Sequence, residues 1–398
     1  MSDAKTRGPG PLASVKLFFT DRDKLEPAVI TLLAAIFAIL MGVGLIFVVS
    51  KDPVTSTKNF LLGPFLRTYN FYYLLVAMVP ITFTGLALCI IYQLKYMSLI
   101  VDSSFYTGAI VATAIGVRLA LPAGWHPAVA MLAAGLAGGL IGTLPAILKI
   151  KWRANELVSS LMFNYVFYFF GSFVILYFLR DRNQTILASM PFQKTFALPK
   201  LVENTQLHAG FIIAAVFVAL VSIFLFRTKW GYQIRITGAN PKFAAYAGIP
   251  VASVAIFAHF VSGFIGGIGG AVEMSGLYRA FIWKMNPSYA WDGVIVAMLA
   301  RKNPKFVPVS AFFLAYMRVG ADFMSRRGDV AFEFITLLQG IIILILASDK
   351  IANYFKARRL RRNAFAAEAA LAAAPAGGVR SDGGGKGTAG AAGTGGKA

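Results

Sequence analysis

Long apolar runs separated by short polar segments dominate the chain, and they predict an all-α polytopic membrane protein. A helix needs about 20 apolar residues to cross a bilayer, and most of the runs approach or exceed this length with few charges inside them. Ten spans are predicted, of which the eighth is too short for a full crossing, so we expect it to be broken or tilted. The ten runs cover residues 27–49, 70–92, 97–118, 127–148, 157–179, 209–226, 250–275, 289–300, 306–323 and 331–347.

Basic residues orient these spans. With the N-terminus in the cytoplasm, 25 Lys and Arg residues fall in cytoplasmic segments and 11 in external ones, which is the bias expected of cytoplasmic loops. We therefore predict a cytoplasmic N-terminal segment at 1–26, a transmembrane domain at 27–347 and a cytoplasmic tail at 348–398. The tail carries a basic run at 356–362 that suits anionic lipid. From residue 364 it is rich in Ala and then in Gly, which predicts disorder.

Composition narrows the function classes. Hydrophobic residues make up 58% of the 398 residues and charged residues only 14%, whereas a soluble domain carries about 25% charged residues. The net charge of +21 does not indicate nucleic-acid binding, because no basic patch with exposed aromatics lies in a soluble domain. The single cysteine, Cys89, excludes disulfides within the chain. Phosphate-binding loops, metal-binding motifs and catalytic triads are absent from the sequence, which disfavours an enzyme and predicts no metal site.

The stretch 237–251, TGANPKFAAYAGIPV, predicts a short helix in a basic cytoplasmic loop. Asn240 can cap the start of this helix and Pro241 suits its first turn. Gly248 suits a left-handed stop, and Pro250 prevents the helix from continuing. A compact, capped helix in such a loop indicates contact with a soluble partner. An ordinary connecting loop is the alternative interpretation.

Two stretches indicate an inverted internal repeat. Spans two to five and seven to ten are offset by five crossings, so two copies would have opposite orientations, as in many transporters with broken helices. Residues 97–112 and 286–300 match as a pair, because each has a polar start followed by one carboxylate and then small or β-branched residues. The carboxylates are Asp102 and Asp292.

Ionisable groups within membrane spans are expensive and are therefore candidates for function. We expect Arg318 and Asp322 to pair, because they lie four residues apart on one helix, and we expect the isolated His259 to be structural. The remaining acidic candidates, Glu273 and Glu333, are ambiguous. Asp102 and Asp292 are the best candidates for lining a path, since irregular backbone is tolerated beside a water-filled cavity. Further candidates for the path, which could instead simply pack, are Ser103, Ser104, Phe105, Asn164, Tyr165, Tyr289 and Trp291.

Small residues at four-residue spacing recur in two spans. In span seven, Gly263 and Gly267 follow this spacing. In span four, Gly135 and Gly139 do so, as do Gly138 and Gly142. Small residues in this pattern let helix backbones approach closely in lipid, so we expect tight packing of these two spans.

Four consecutive blocks of the chain resemble the permease subunits of ABC importers for ribose, branched-chain amino acids and nucleosides. Residues 231–251 are similar to their cytoplasmic loop, 261–276 to the glycine-rich helix after it and 288–313 to their Asp-Gly-x-x-Val-Ala stretch. Residues 144–166, with Asn-Glu and Leu-Met-x-Asn-Tyr, resemble the simple-sugar and nucleoside branch. The similarity covers residues 70–347. It departs at 99–105, where LIVDSSF replaces the usual Asn-Ile-Gly-x-Glu-Gly-Gln, and at Ala300, which replaces a glycine.

The resemblance implies a type II ABC importer-like permease in a bacterial inner membrane, with a path for a nucleoside or simple sugar. It implies as partners two ATP-binding domains, a second and paralogous permease, and an extracytoplasmic binding protein. ATP would be used by the partner subunit, with no cofactor bound to this chain. Residues 238–249 would form the helix that couples to the ATPase. The residues assigned to this coupling are Gly238, Asn240, Pro241, Ala244, Ala245, Tyr246 and Gly248.

An ion-gradient-driven secondary transporter is the alternative. It would need a buried carboxylate or histidine whose protonation is linked to the solute. The sequence lacks paired His or Lys near its membrane carboxylates at helical spacing, and the capped cytoplasmic helix also favours the importer.

Overall fold

A computed structural model describes residues 39–183, 188–327 and parts of 330–341, and these residues are helical or irregular apart from two isolated bridges. The predicted segment 1–26, the start of span one, most of span ten and the tail 348–398 lie outside the described residues. The helices are α1 (Ile39–Val49), α2 (Pro53–Leu62), α3 (Thr68–Gln93), α4 (Val101–Arg118), α5 (Trp125–Gly142), α6 (Leu144–Trp152), α7 (Glu156–Val174), α8 (Gly210–Arg227), α9 (Lys229–Ala239), α10 (Pro241–Tyr246), α11 (Val251–Leu277), α12 (Tyr289–Leu299) and α13 (Val307–Arg327).

Six helical stretches among the described residues are long and apolar enough to cross a membrane. This agrees with a multi-pass membrane protein, while ten spans and an inverted repeat stay predictions. The eighth predicted element corresponds to α12, whose 11 residues confirm its short length. The six stretches are Thr68–Gln93, Trp125–Trp152, Glu156–Leu179, Gly210–Arg227, Val251–Leu277 and Pro304–Arg326.

Helix α11 forms the centre of the bundle and packs against α3, α4 and α5. Its contact with α5 is the most extensive and runs along the predicted glycines. A Cβ built on Gly138 would lie 2.6 Å from the Gly263 carbonyl oxygen, and one on Gly142 would lie 2.7 Å from the His259 carbonyl oxygen. The tight packing expected from the glycine spacing is therefore confirmed, because side chains at these positions would force the backbones apart.

The segment 180–209, which is predicted to be external, contains one 3₁₀ turn, Lys194–Phe196, and two isolated bridges among its described residues. Phe196 is buried and packs on Gly116 at the end of α4. His208 is also buried, and its Nδ1 accepts a hydrogen bond from the Gly210 amide at 3.1 Å. Burial lowers the pKa of His208 to about 4, so the ring is neutral at physiological pH and caps the start of α8.

Candidate functional site

The short helix α10 has the capping residues that its sequence predicts. The Asn240 side chain accepts hydrogen bonds from the amides of Lys242 at 3.1 Å and Phe243 at 3.2 Å. Pro241 is the first helical residue. Gly248 has φ +77, a left-handed conformation that favours glycine. Both ends of this helix are thus fixed by local interactions.

One face of α10 is anchored and the other is exposed. Ala244 is fully buried, whereas Tyr246 is 91% exposed and Ala245 is also exposed. The predicted limits 238–249 are too wide, because α10 itself covers only six residues. Gly238 lies in α9, where a side chain would collide with the Gln93 carbonyl at the end of α3. The close contact that holds α9 against α3 explains why glycine stands at this position.

A groove of about 640 Å³ lies beside α10. It is bounded by the end of α8, by α9 and by the exposed face of α10. Its lining includes Arg227, Lys229 and Arg235 and no acidic side chain. The exposed face of α10 is therefore next to a positively charged surface.

A second candidate region lies inside the bundle, where α4 and α12 begin about halfway along α3. Helix α12 is about 16 Å long, roughly half of the ~30 Å hydrocarbon core. Its C-terminal end is level with the C-terminal end of α3, since Gln93 Nε2 donates to the Lys302 carbonyl at 2.9 Å. The N-terminus of α12 therefore lies about halfway along α3, where Gly293 packs against Thr84. The preceding segment 278–288 is irregular and connects the C-terminal end of α11 to the start of α12.

Asp102 joins the starts of α4 and α12. It lies in the first turn of α4 and is 6% exposed. Its Oδ2 accepts from Asn286 Nδ2 at 2.6 Å, and its Oδ1 accepts from the Ala290 amide at 3.5 Å. A carboxylate at two helix N-termini is stabilised by both helix dipoles. Helix α4 ends beside the segment 180–209, since the Gln193 amide donates to the Gly116 carbonyl at 3.0 Å, whereas α12 ends beside Gln93. The two helices therefore leave this point in opposite directions.

Asp292 has a different environment from Asp102, although the sequence pairs them. Its Oδ2 accepts from Arg318 Nη1 of α13, and its Oδ1 accepts from Gln339 Nε2 at 2.6 Å. The expected pairing of Arg318 with Asp322 is wrong: Asp322 pairs with Arg326 at 2.9 Å instead. Asp292 is the stronger partner for Arg318 because its side chain is 4% exposed, compared with 20% for Asp322, and attraction between charges is stronger where less water surrounds them.

Aromatic side chains surround the start of α12. Phe105 stacks on Trp283 with ring centroids 6.1 Å apart and contacts Tyr289 edge-on at 5.3 Å. The Tyr289 hydroxyl donates to Glu273 at 3.3 Å, and the Arg318 guanidinium lies 5.0 Å from the Tyr289 ring centre. Trp283 was not anticipated, since its segment has no periodic pattern. Buried Glu273 Oε2 and Trp283 Nε1 have no hydrogen-bond partner among the described residues.

The other candidates for the path fall into two groups. Asn164 faces inward and bonds to Ser103, and Ser104 is buried against the Gly138 carbonyl. Tyr165 is 63% exposed on the outer face of α7, and Trp291 is 46% exposed. The structure therefore does not bring all of these side chains into one cavity. His259 is buried and its Nδ1 is bonded to the Ala255 carbonyl at 2.9 Å, while Glu333 lies outside the described residues.

Comparison with known proteins supports the assignment to a transport family. The family model described as "branched-chain amino acid transport system / permease component" matches residues 70–347. The guanosine ABC transporter permease protein NupP of Bacillus subtilis is 26% identical over 341 residues, which are 84% of this chain and 98% of NupP. The glucose ABC transporter permease protein TsgB13 of Haloferax volcanii is 25% identical, with 82% and 88% covered. A second Bacillus subtilis guanosine permease protein, NupQ, is 30% identical over 56% of this chain and 70% of NupQ.

No solved structure matches the chain. The family match covers most of the described bundle, from α3 onward. Members of this family are transport components of ABC systems and not enzymes. The chain belongs to the BPD_transp_2 family of ABC transporter permeases.

Proposed function

We propose that this chain is the permease subunit of an ATP-driven importer for a nucleoside or a simple sugar in a bacterial inner membrane. Its N- and C-termini would lie in the cytoplasm. The relatives that match most of the chain are named as guanosine, glucose and nucleoside permeases, which supports this class of solute. Among the two solute classes, a nucleoside is the first to test.

The observation that carries the proposal is the geometry of α10. Its buried face is fixed to the bundle through Ala244, and its exposed face ends in Tyr246. Both caps are satisfied by local bonds, so the helix is stiff in spite of its six residues. An ATP-binding subunit that grips this face would transmit its movement to α8, α9 and α11. ATP binding can shift the conformations only as far as it favours one of them.

The translocation path would pass the mid-depth site of Asp102 and Phe105. The broken helices there place a buried carboxylate, an amide and several aromatic rings together at the start of α12. Such groups suit a neutral, ring-bearing solute with hydroxyl groups. The exposed outer face of α7, with Tyr165, supports a path shared with a second permease. The presence of NupP and NupQ among the relatives supports a paralogous partner.

Replacing Ala245 by glutamate tests the coupling role. The side chain is exposed, so Ala245→Glu does not disturb the bundle, but it places a charge in the contact with the ATPase. We expect this variant to reach the membrane and to lose ATP-driven import, ATPase stimulation and co-purification of the ATP-binding subunit. Ala197→Glu, the same change at an exposed position of the external segment, is the control and should keep the ATP-binding subunit bound. Normal import by the Ala245 variant would refute the coupling role.

A further inference from the structure

Three polar residues form a stripe on one face of α7, which is otherwise largely apolar and exposed. Glu156, Ser160 and Asn164 are four residues apart and therefore lie one above the other along the helix. We call them the polar stripe. It faces residues 97–103, which comprise the irregular segment 97–100 and the first turn of α4 with Asp102.

The lower two members of the polar stripe accept hydrogen bonds from backbone amides of this segment. Glu156 Oε1 accepts from the Met97 amide at 3.2 Å. Ser160 Oγ accepts from the Leu99 amide at 3.0 Å and donates to a carbonyl of its own helix, that of Leu157, at 2.9 Å. The amides of Met97 and Leu99 precede α4 and therefore have no backbone partner in a regular helix of the described residues.

Asn164 completes the stripe with both ends of its amide. Its Oδ1 accepts from the Ser103 amide at 3.2 Å and from the Ser103 hydroxyl at 2.5 Å. Its Nδ2 donates to the Leu99 carbonyl at 3.3 Å. The stripe thus satisfies three amides and one carbonyl between Met97 and Ser103, next to Asp102.

The spacing of the two chains explains why the bonds stay in register. Four residues of α-helix advance about 6 Å, and two residues of extended chain advance about 6.6 Å. Glu156 and Ser160 are therefore almost as far apart as Met97 and Leu99. An irregular backbone at membrane depth must have its polar groups satisfied by protein, and α7 supplies these partners.

Glu156, the first residue of the polar stripe, forms an ion pair with a lysine of α6. Lys149 Nζ of α6 lies 2.6 Å from Glu156 Oε2. The same ammonium group lies 3.5 Å from the centre of the Tyr96 ring, directly before Met97. The start of the segment is therefore tied to both α6 and α7.

We propose that Glu156, Ser160 and Asn164 are positioning residues for transport: they bind the segment 97–103 to α7, so that Asp102 moves with α7 during the cycle. This inference rests on the proposed function for its role in transport, while the attachment itself can be tested without transport. It also assigns a physical reason to the spacing of Glu156, Ser160 and Asn164 in the sequence.

The matched pair Ser160→Ala and Ser159→Ala tests the attachment. Ser159 has the same hydroxyl one residue earlier, but among the described residues it bonds only to the carbonyls of Asn155 and Glu156 at the start of α7. The readout is the rate at which N-ethylmaleimide labels Val101→Cys in membranes, since Val101 is fully buried. The native Cys89 is also fully buried and is expected to react slowly.

We expect Ser160→Ala to accelerate labelling about tenfold, because an unsatisfied buried amide favours local opening by that factor. Ser159→Ala should leave the rate unchanged, and Ser160→Thr, which keeps the hydroxyl, should restore it. Asn164→Leu should act in the same direction as Ser160→Ala. Equal labelling rates in the Ser160→Ala and Ser159→Ala backgrounds would overturn the attachment.

Import measurements without the Val101 replacement then test the role in transport. We expect Ser160→Ala to lower the maximal rate and to leave the half-saturating solute concentration unchanged, since the binding protein captures the solute. Ser160→Thr should recover the rate. Faster labelling with an unchanged maximal import rate would overturn the positioning role. Absence of ATP-driven import in the unaltered protein would refute the proposed function, while the labelling rates would still report on the stripe.

Discussion

The ion pair between Arg318 and Asp292 gives a sharp test of how the start of α12 is held. In Arg318→Met, the Asp292 carboxylate keeps its bond to Gln339 but loses its cation. The Asp292 side chain is 4% exposed and that of Arg318 is 26% exposed, so water cannot replace the lost partner at the carboxylate. The variant therefore leaves a largely uncompensated charge inside the bundle.

Removing one partner of a buried ion pair costs about 3–5 kcal/mol, whereas replacing both by apolar residues is often neutral. We expect Arg318→Met to lie near the lower limit, about 3 kcal/mol, because the Arg318 side chain is 26% exposed. Tyr289 also loses the cation above its ring, which adds about 0.5–1 kcal/mol. The double variant Arg318→Met/Asp292→Leu should regain most of this stability.

Thermal unfolding in detergent, followed by the loss of monodisperse protein, measures the three variants against the unaltered chain. Arg318→Met and Asp292→Leu should each unfold at a clearly lower temperature, and the double variant should lie close to the unaltered chain. A double variant as unstable as Arg318→Met would refute the reasoning from an unpaired charge. Import by the stable double variant then decides whether Asp292 also lines the path. Import at the rate of the unaltered chain would mean that Asp292 serves only to pair with Arg318.

Three further changes test other parts of the structure. Asn240→Ala removes the cap of α10 and costs about 1 kcal/mol, so the import rate should fall about fivefold. Asn240→Asp keeps the hydrogen-bond acceptor and should import normally. Equal import rates in the two variants would contradict the capping role of Asn240. Gly267→Val places a side chain against the Ala134 carbonyl of α5. Overpacking of this kind destabilises the fold by about 1–3 kcal/mol, so less folded protein should reach the membrane. An unchanged yield of folded protein in fluorescence-detected chromatography would contradict this expectation. Asp102→Asn keeps the volume but removes the charge, and it should lower import or change solute preference in uptake assays; unchanged import of every solute would make this carboxylate structural.

Local signals in the sequence were enough to predict the ends of α10. Asn240 and Gly248 act through bonds and dihedral angles within a few residues, so the chain itself determines them. The glycine spacing likewise predicted that α5 and α11 pack closely, because small residues at that interval let helix backbones approach in lipid. That the two helices pack on each other was visible only in the fold. The short length of α12 was also visible in its apolar run.

Partners distant in the chain were not predictable in this way. Asp292 and Arg318 are 26 residues apart, and Asp102 and Asn286 are 184 apart. Local spacing favoured Arg318 with Asp322, but the tertiary fold brings a more buried carboxylate within reach. Asn164 was expected in the path, and its bonds to the segment 97–103 became visible only once α7 was placed beside α4.

Reconstitution in liposomes tests most directly whether this chain imports its solute at the expense of ATP. The purified chain is combined with its second permease, the ATP-binding subunit and the binding protein, and uptake of labelled nucleosides and sugars is measured. We predict uptake that requires ATP hydrolysis and the ATP-binding subunit and that is lost in Ala245→Glu. Uptake by the permeases alone, driven by a proton or sodium gradient without ATP, would contradict it.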